Sequence, residues 1–90
     1  MIYIDDIKIP FRNMLMSHMT SIPHDTQELV DFAISLGLKE EWLQTHNKKH
    51  IHYDISQSKV KEALDKGATL LSIQEYVTLV QTDWKKRNNS

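Results

Sequence analysis

The stretch His50-Ile51-His52-Tyr53-Asp54-Ile55 lies in the middle of a 90-residue chain and alternates in the manner of a β-strand. Because successive side chains of a strand point to opposite faces, its apolar residues would share one face, and His50, His52 and Asp54 the other. An imidazole and a carboxylate two residues apart on one face of a strand can both contact the same ligand. The stretch therefore predicts a short strand with a polar face, which is our first candidate for a functional site.

The composition is that of a small globular domain. Hydrophobic residues make up 40% of the chain and charged residues 26%, and the formal net charge is −1. A chain of this length has room for one core, so residues 1–90 are predicted to form a single domain, with residues 85–90 as a polar tail. Nucleic-acid binding is not favoured, because such proteins normally carry a basic excess or a basic face.

Cysteine content and hydropathy limit the cellular locations that are expected for this protein. The sequence has no cysteine, which excludes disulfides and thiolate metal sites. No apolar stretch approaches the ~20 residues that span a bilayer. Asp5 and Asp6 stand where a signal peptide would carry basic residues. We therefore expect a cytoplasmic protein without membrane contact.

Strand and helix patterns alternate along the chain. Strands are predicted at residues 1–4, 50–55 and 68–71, whereas residues 7–24 have no clean period and are predicted to form an irregular loop. Alternating strands and helices imply crossover connections. The predicted fold class is therefore α/β, a small parallel-leaning three-stranded sheet with three to four helices.

Helix boundaries are marked by capping patterns. Asp25 with Glu28, and Ser72 with Glu75, have the spacing of capping boxes, and a further helix is predicted to begin after Ser56. Helix ends are predicted at the two glycines, Gly37 and Gly67. A short helical turn over residues 39–44 is predicted to be anchored by a buried Trp42.

The polar residues outside the central strand allow both functional and structural interpretations. Ligands of open α/β sheets bind at the carboxyl ends of strands, which would place Asp5, Asp6 and Asp54 on one edge of the molecule. The alternative for Asp5 and Asp6 is a turn or cap. Arg12 could grip a phosphate, and Lys59 lies near a helix N-terminus that suits an anion.

Several segments together resemble a short bacterial and phage family known as domain of unknown function 4031. They are residues 3–6, 16–19, 25–29, 36–37, 42–44, 52–55, 58–59 and 67–68. Two positions depart from the family pattern: Leu43 stands where an aromatic is expected, and Val60 follows Lys59 in place of Arg. The resemblance implies the positions of these motifs, an α/β fold and a bacterial or phage origin, hence a bacterial host cytoplasm. It implies no reaction.

The first functional hypothesis is binding of a phosphate-bearing small molecule, with a nucleotide as the favoured ligand. A phage protein of this kind could sequester a host nucleotide signal, and no cofactor is required. The candidate ligand-binding residues are Asp5, Asp6, Arg12, Ser17, His18, His52, Tyr53, Asp54 and Lys59.

The second hypothesis is a metal-dependent phosphoester hydrolase or nuclease, so whether the protein is an enzyme stays open. Asp5, Asp6, His52 and Asp54 would bind Mg²⁺ or Mn²⁺, and His18 would act as the catalytic acid or base. No HExxH motif or comparable metal signature accompanies them.

A third hypothesis is an adaptor that binds a host protein through the methionine-rich residues 14–19. Because a single small domain would offer only a shallow pocket, we also expect a homo-oligomer. Its contacts would be formed by residues 14–19 or by the last helix.

Overall fold

Five strands form one mixed sheet in the computed structural model, which describes residues 1–88. The strands are β1 (Ile2–Asp5), β2 (Ile9–Phe11), β3 (Met14–Ser21), β4 (Tyr53–Ser56) and β5 (Thr69–Leu71). The α-helices are α1 (Thr26–Ser35), α2 (Gln57–Asp65) and α3 (Ile73–Asn88), and a 3-10 turn spans Glu40–Trp42. The α/β class is confirmed.

Strand β3 is the centre of the sheet. It pairs antiparallel with β1, β2 and β4, and β1 in turn pairs parallel with β5. Met19 faces Ile4 on one side and Tyr53 on the other. Because Met16 is likewise paired on both sides, β1 and β2 follow one another along one edge of β3, while β4 lines the opposite edge.

Two predictions about the sheet are wrong. The sheet has five strands rather than three, and it is not parallel-leaning, because three of its four pairings are antiparallel. Both errors come from residues 7–24, which form the β2–β3 hairpin instead of an irregular loop. Its turn is closed by Arg12, in the left-handed region at φ 56°, and Asn13. Apolar side chains occur on both faces of this hairpin, so the strand alternation is hidden in the sequence.

The hydrophobic core lies on one face of the sheet, beneath α1 and α2. The register places Ile4, Met19 and Tyr53 side by side on that face, and each is at most 1% exposed. The core cluster contains Ile2, Ile4, Met19, Leu29, Ala33, Leu36, Tyr53, Ile55, Val60, Ala63 and Ala68. Helix α3 packs against β1 and β5 and contributes none of these residues, which leaves the other face for polar groups.

The predicted caps at Asp25 and at Ser72 with Glu75 are confirmed. Glu28 does not complete the first capping box, because it binds the terminal amine, and Ser56, which precedes α2, forms no side-chain cap hydrogen bond. The Asp25 side chain accepts a hydrogen bond from the Glu28 amide at 3.0 Å. Ser72 and Glu75 form a reciprocal box, each side chain accepting from the other residue's amide. Gly37, which follows the end of α1, adopts φ 84°, a conformation that residues with a Cβ rarely adopt.

One local prediction is wrong. Trp42 is 52% exposed and is not a buried anchor. The predicted polar tail is helical through Asn88, and its last two residues lie outside the described residues. Within residues 1–88, none of the helices combines the length and apolar character that crossing a bilayer requires.

The burial pattern of α1 gives a direct test of where the core lies. Leu29 is fully buried in the core cluster, whereas Ile34 on the same helix is 52% exposed. We expect Leu29→Ala to lower the free energy of unfolding by about 2–5 kcal/mol and Ile34→Ala by about 0.5 kcal/mol or less, measured by urea denaturation. Equal losses for the two variants would contradict the assignment.

Candidate functional site

A polar cluster occupies the sheet face that α3 partly covers. It draws on four separate parts of the chain, because β1, β3 and β4 are adjacent in the sheet and α3 packs beside them. The cluster comprises Asp5, His18, His50, His52, Asp54 and Tyr76. His18 lies directly opposite Asp54 in the β3–β4 pairing, so the sheet itself brings these two side chains together.

A buried carboxylate binds the ring nitrogen of His18 that faces the protein interior. Asp5 is fully buried at the end of β1, and its Oδ2 lies 2.6 Å from His18 Nδ1. The other oxygen accepts the backbone amide of His18 at 3.0 Å. Because Asp5 is bound through both oxygens, the imidazole is fixed with Nδ1 facing inward. Its Nε2 therefore faces the open side of the sheet.

His52 is oriented in the same manner by the backbone. Its Nδ1 lies 2.8 Å from the carbonyl oxygen of His50, which can only accept, so Nδ1 carries the hydrogen. Its Nε2 then faces Asp54 Oδ1 at 3.3 Å. His18 Nε2 lies 3.8 Å from the same oxygen. Two imidazole nitrogens thus converge on one carboxylate oxygen.

Asp54 is positioned by Gln44. The Gln44 side-chain amide donates to Asp54 Oδ2, which leaves Oδ1 directed at the imidazoles. Gln44 is also tied to His52 by two backbone hydrogen bonds, of 2.9 and 3.2 Å. A single residue therefore fixes both the strand entry at His52 and the carboxylate two residues later.

His50 belongs to the cluster but faces α3. Its Nε2 lies 2.6 Å from the hydroxyl of Tyr76, which is 2% exposed. The His50 and His52 rings stack with centroids 4.0 Å apart. His50 therefore links α3 to His52: its ring contacts Tyr76 and its carbonyl accepts from His52.

The three imidazoles differ in charge preference. The hydrogen bond to Asp5 raises the pKa of His18 above its usual 6.5, against an opposing effect of burial. Burial lowers the pKa of His52. Burial, reinforced by the charges of His52 and His18, lowers the pKa of His50 to about 4. At neutral pH, His50 and His52 are accordingly neutral, and the Tyr76 hydroxyl donates to His50.

A cleft of about 310 Å³ opens between this cluster and α3. His18, His50 and Tyr76 form its polar wall, and Lys49 lies at its side. A larger surface groove of about 880 Å³ lies between Met1 and α1. There Asp25 caps the helix and Glu28 binds the terminal amine, so the polar groups already have structural roles. The smaller cleft is therefore the better candidate.

Four of the sequence-predicted site residues meet in this cluster: Asp5, His18, His52 and Asp54. Asp6 does not join them, although it follows Asp5 directly. Its side chain points away and accepts the amide of Ile73 at 2.8 Å, which caps the start of α3. This is the cap interpretation that the sequence left open.

The other predicted residues lie elsewhere. Lys59 donates to the carbonyl of Leu36 at 2.6 Å, at the end of α1. Ser17 faces the core side and binds the carbonyl of Ile7 and the Gln57 side chain. Tyr53 is in the core, and Arg12 sits over Phe11 in the hairpin turn.

Sequence reasoning did not select Gln44, His50 or Tyr76 as site residues. His50 carries a detectable signal, because it shares the alternation of His52 and Asp54. Tyr76 has no sequence signal of this kind, because its hydroxyl contact with His50 depends on how α3 docks. Gln44 has no local pattern that marks it, since its role arises from pairing with His52.

The lowered pKa of His50 predicts a pH dependence of stability. Between its folded pKa of about 4 and its unfolded value of 6.5, the unfolded chain binds more protons. The stability contributed by neutral His50 is therefore complete above pH 6.5 and is lost as the pH falls toward 4. We expect the difference in free energy of unfolding between wild type and His50→Gln to shrink over this range, measured by urea denaturation without metal.

His18 does not obscure this measurement. Because its pKa is raised, the stability it contributes is present below pH 6.5 and is lost only at higher pH. A difference between wild type and His50→Gln that stays constant from pH 6.5 to pH 4 would contradict a buried, neutral His50.

Comparison with known proteins yields a family but no characterised relative. No curated protein and no solved structure matches the chain. Residues 2–83 match the family described as protein of unknown function, DUF4031. The matched range runs from β1 into α3 and includes every residue of the polar cluster. The resemblance found in the sequence is thus confirmed, and the chain belongs to the DUF4031 family.

Proposed function

We propose that this protein binds one divalent transition-metal ion through His18, His52 and Asp54 and uses it to hydrolyse a phosphoester. The observation that carries the proposal is the convergence of two imidazole Nε2 atoms on one oxygen of Asp54, at 3.8 and 3.3 Å. Each imidazole is held in place by an acceptor on its far side. Three donor atoms that face one another in this way suit a cation.

The electrostatics of His52 favour an ion between these groups. Since the His50 carbonyl fixes the hydrogen on Nδ1, the Nε2 of a neutral His52 presents a lone pair to Asp54. A lone pair and a carboxylate oxygen at 3.3 Å repel one another. A second proton would remove the repulsion, but burial of His52 disfavours the charged ring. A metal ion converts both lone pairs into ligands.

The distances agree with a small coordination sphere. Bonds of about 2.0–2.1 Å in a tetrahedron place ligand atoms about 3.3 Å apart. The three candidate atoms lie within 4.8 Å of one another, so only a small approach is needed. Two imidazoles and one carboxylate suit Zn²⁺, Mn²⁺ or Fe²⁺ better than Mg²⁺, which prefers oxygen ligands.

The residues behind the ligands support the same assignment. Histidines that bind metals usually donate their second ring N–H to a carboxylate or a carbonyl, which fixes the tautomer and the ring orientation. Asp5 serves His18 in this way, and the His50 carbonyl serves His52. Gln44 holds the oxygen of Asp54 that faces away from the imidazoles.

Three protein ligands leave room for a water and a substrate oxygen. His18, His52 and Asp54 would hold the ion, and the ion would supply a water of lowered pKa and polarisation of a phosphoryl oxygen. In the hydrolysis we propose, the water oxygen bonds to phosphorus as the ester P–O bond breaks. The leaving oxygen takes the proton that the water loses. Lys49, beside His18 in the cleft, favours an anionic substrate.

Compared with the second hypothesis, His18 is a metal ligand instead of an acid or base. Asp5 and Asp6 are no longer ligands, because Asp5 orients His18 and Asp6 caps α3. The first hypothesis, nucleotide binding without turnover, assigned the phosphate to Arg12, His18, Lys59 and the helix N-terminus at Ser56. Lys59 is engaged at the end of α1 and Arg12 lies in the hairpin turn. Sequestration of a host nucleotide, cytoplasmic location, self-association and an adaptor role stay predictions.

Metal titration tests the ligand set. We expect isothermal titration calorimetry with Zn²⁺ or Mn²⁺ to show one ion per chain. His52→Ala and Asp54→Asn should weaken binding at least a hundredfold, because each removes a ligand. Asp5→Asn should weaken it by about 10–100-fold, because it removes only the group that orients His18.

His46→Gln is the matched control for this titration. His46 lies in the same segment as His50 and is exposed, so its loss should leave the affinity unchanged. Affinity that falls with His46→Gln but survives His52→Ala would show that the ion binds at the surface and would overturn the ligand set.

The reaction is tested separately with metal-loaded protein. We expect Zn²⁺- or Mn²⁺-loaded protein to release nitrophenol from mono- or bis-(p-nitrophenyl) phosphate. Activity should disappear after EDTA treatment, return on adding metal, and be absent in Asp54→Asn. Stoichiometric metal binding without turnover of any phosphomonoester or phosphodiester would refute the hydrolytic part of the proposal.

A further inference from the structure

A groove runs along α3 from the metal-binding residues toward the end of the helix. The cleft of about 310 Å³ beside His18 adjoins a second one of the same volume, which also includes Trp84 and Lys85. Both clefts are lined by Lys49, Val80 and Gln81. Because these three residues are shared, the two clefts lie side by side along α3, and together they are called the groove.

The groove is electropositive. Its charged lining residues are Asp5, Lys49 and Lys85, and Asp5 is fully engaged by His18. Among residues 1–88, neither lysine forms an ion pair. The chain as a whole carries a net charge of −1, so this pair of free ammonium groups is a local feature. It suits an anion, and lysine is a common partner of phosphate.

The far end of the groove suits a planar group. Trp84 lies one turn after Val80 on α3, and both line the second cleft. The guanidinium of Arg87 lies 5.2 Å from the centre of the Trp84 ring. Indole rings stack well on planar heterocycles, whatever their hydrogen-bonding pattern. A volume of about 310 Å³ per cleft is that of a small-molecule site.

We propose that this groove binds a phosphorylated small molecule with a planar ring, of the nucleotide class, with its phosphate between His18 and Lys49 and its ring toward Trp84. This names the substrate of the site and so rests on the proposed function. It differs from the sequence-based hypothesis in using neither Arg12 nor Lys59. His18 joins the two parts, since it lines the groove and supplies an Nε2 to the metal set.

Calorimetry with four probes tests the groove. The probes are adenosine monophosphate, ribose 5-phosphate, inorganic phosphate and adenosine, each titrated into Zn²⁺-loaded protein. We expect the nucleotide to bind most tightly. Lys49→Gln should weaken the phosphorylated probes about 10–100-fold, because a hydrogen bond to a charged group is lost. Lys85→Gln should weaken them less, because Lys85 lines the cleft nearer Trp84 and acts on the phosphate only through its charge. Lys61→Gln, an exposed position on α2, should have no effect.

The ring contact is tested at Trp84. Trp84→Leu should weaken the nucleotide but not ribose 5-phosphate, and Trp84→Phe should restore most of the loss. Equal affinity for the nucleotide and ribose 5-phosphate would overturn the assignment of a planar ligand. Absence of binding by every phosphorylated probe, or binding unchanged in both lysine variants, would overturn the groove as a whole.

The two proposals fail in different ways. Lys49→Gln and Trp84→Leu leave the three metal ligands in place, so their Zn²⁺ affinity should equal that of wild type. If the protein binds metal stoichiometrically but binds none of the phosphorylated probes, the proposal for the groove is refuted and the metal site is not. Lysine-dependent nucleotide binding by a protein that binds no metal would refute the proposed function and leave the groove intact.

Discussion

The hydrogen-bonded pair of Asp5 and His18 is the constraint on which the rest of the site depends. A carboxylate with no exposed surface is stable only when its charge is compensated, and loss of its partner costs several kcal/mol. Here the partner is an imidazole on the neighbouring strand, at 2.6 Å. The β1–β3 register thus determines more than backbone pairing. It decides that His18 Nδ1 is turned inward and that Nε2 is left for chemistry.

The sheet separates the hydrophobic core from the polar cluster by face. Helices α1 and α2 bury the apolar residues of β1, β3 and β4 on one side, where the core cluster lies. The other side carries the histidines, Asp5 and Asp54, and α3 covers it through a single well-buried residue, Tyr76. Because the polar face contributes none of the core cluster, it can bring His52 and Asp54 together without burying charge in the apolar core.

The sequence predicts the polar face of β4, but it does not predict which other residues join that face. The alternation of His52, Tyr53 and Asp54 was informative because β4 buries one face only. The hairpin of β2 and β3 was missed because Met14, Leu15, Met16 and Met19 are apolar on both faces. The different roles of Asp5 and Asp6 depend on where β1 ends. The strand was predicted to end at residue 4, but it includes Asp5, whose side chain therefore lies on the polar face. Asp6 follows the strand and its side chain points toward α3. Lys59 could not be assigned, since its partner, the Leu36 carbonyl, comes from another helix.

Helix α3 connects the two parts of the proposed site. Its Tyr76 hydroxyl holds the His50 ring, and the His50 carbonyl holds His52 in the tautomer that coordination requires. The same helix supplies Val80, Trp84 and Lys85 to the groove. A ligand in the proposed groove would therefore contact the helix whose Tyr76 hydroxyl orients the His50 ring. Hydrogen bonds link Tyr76 to the His50 ring and the His50 carbonyl to His52, so the docking of α3 and the orientation of His52 are physically linked.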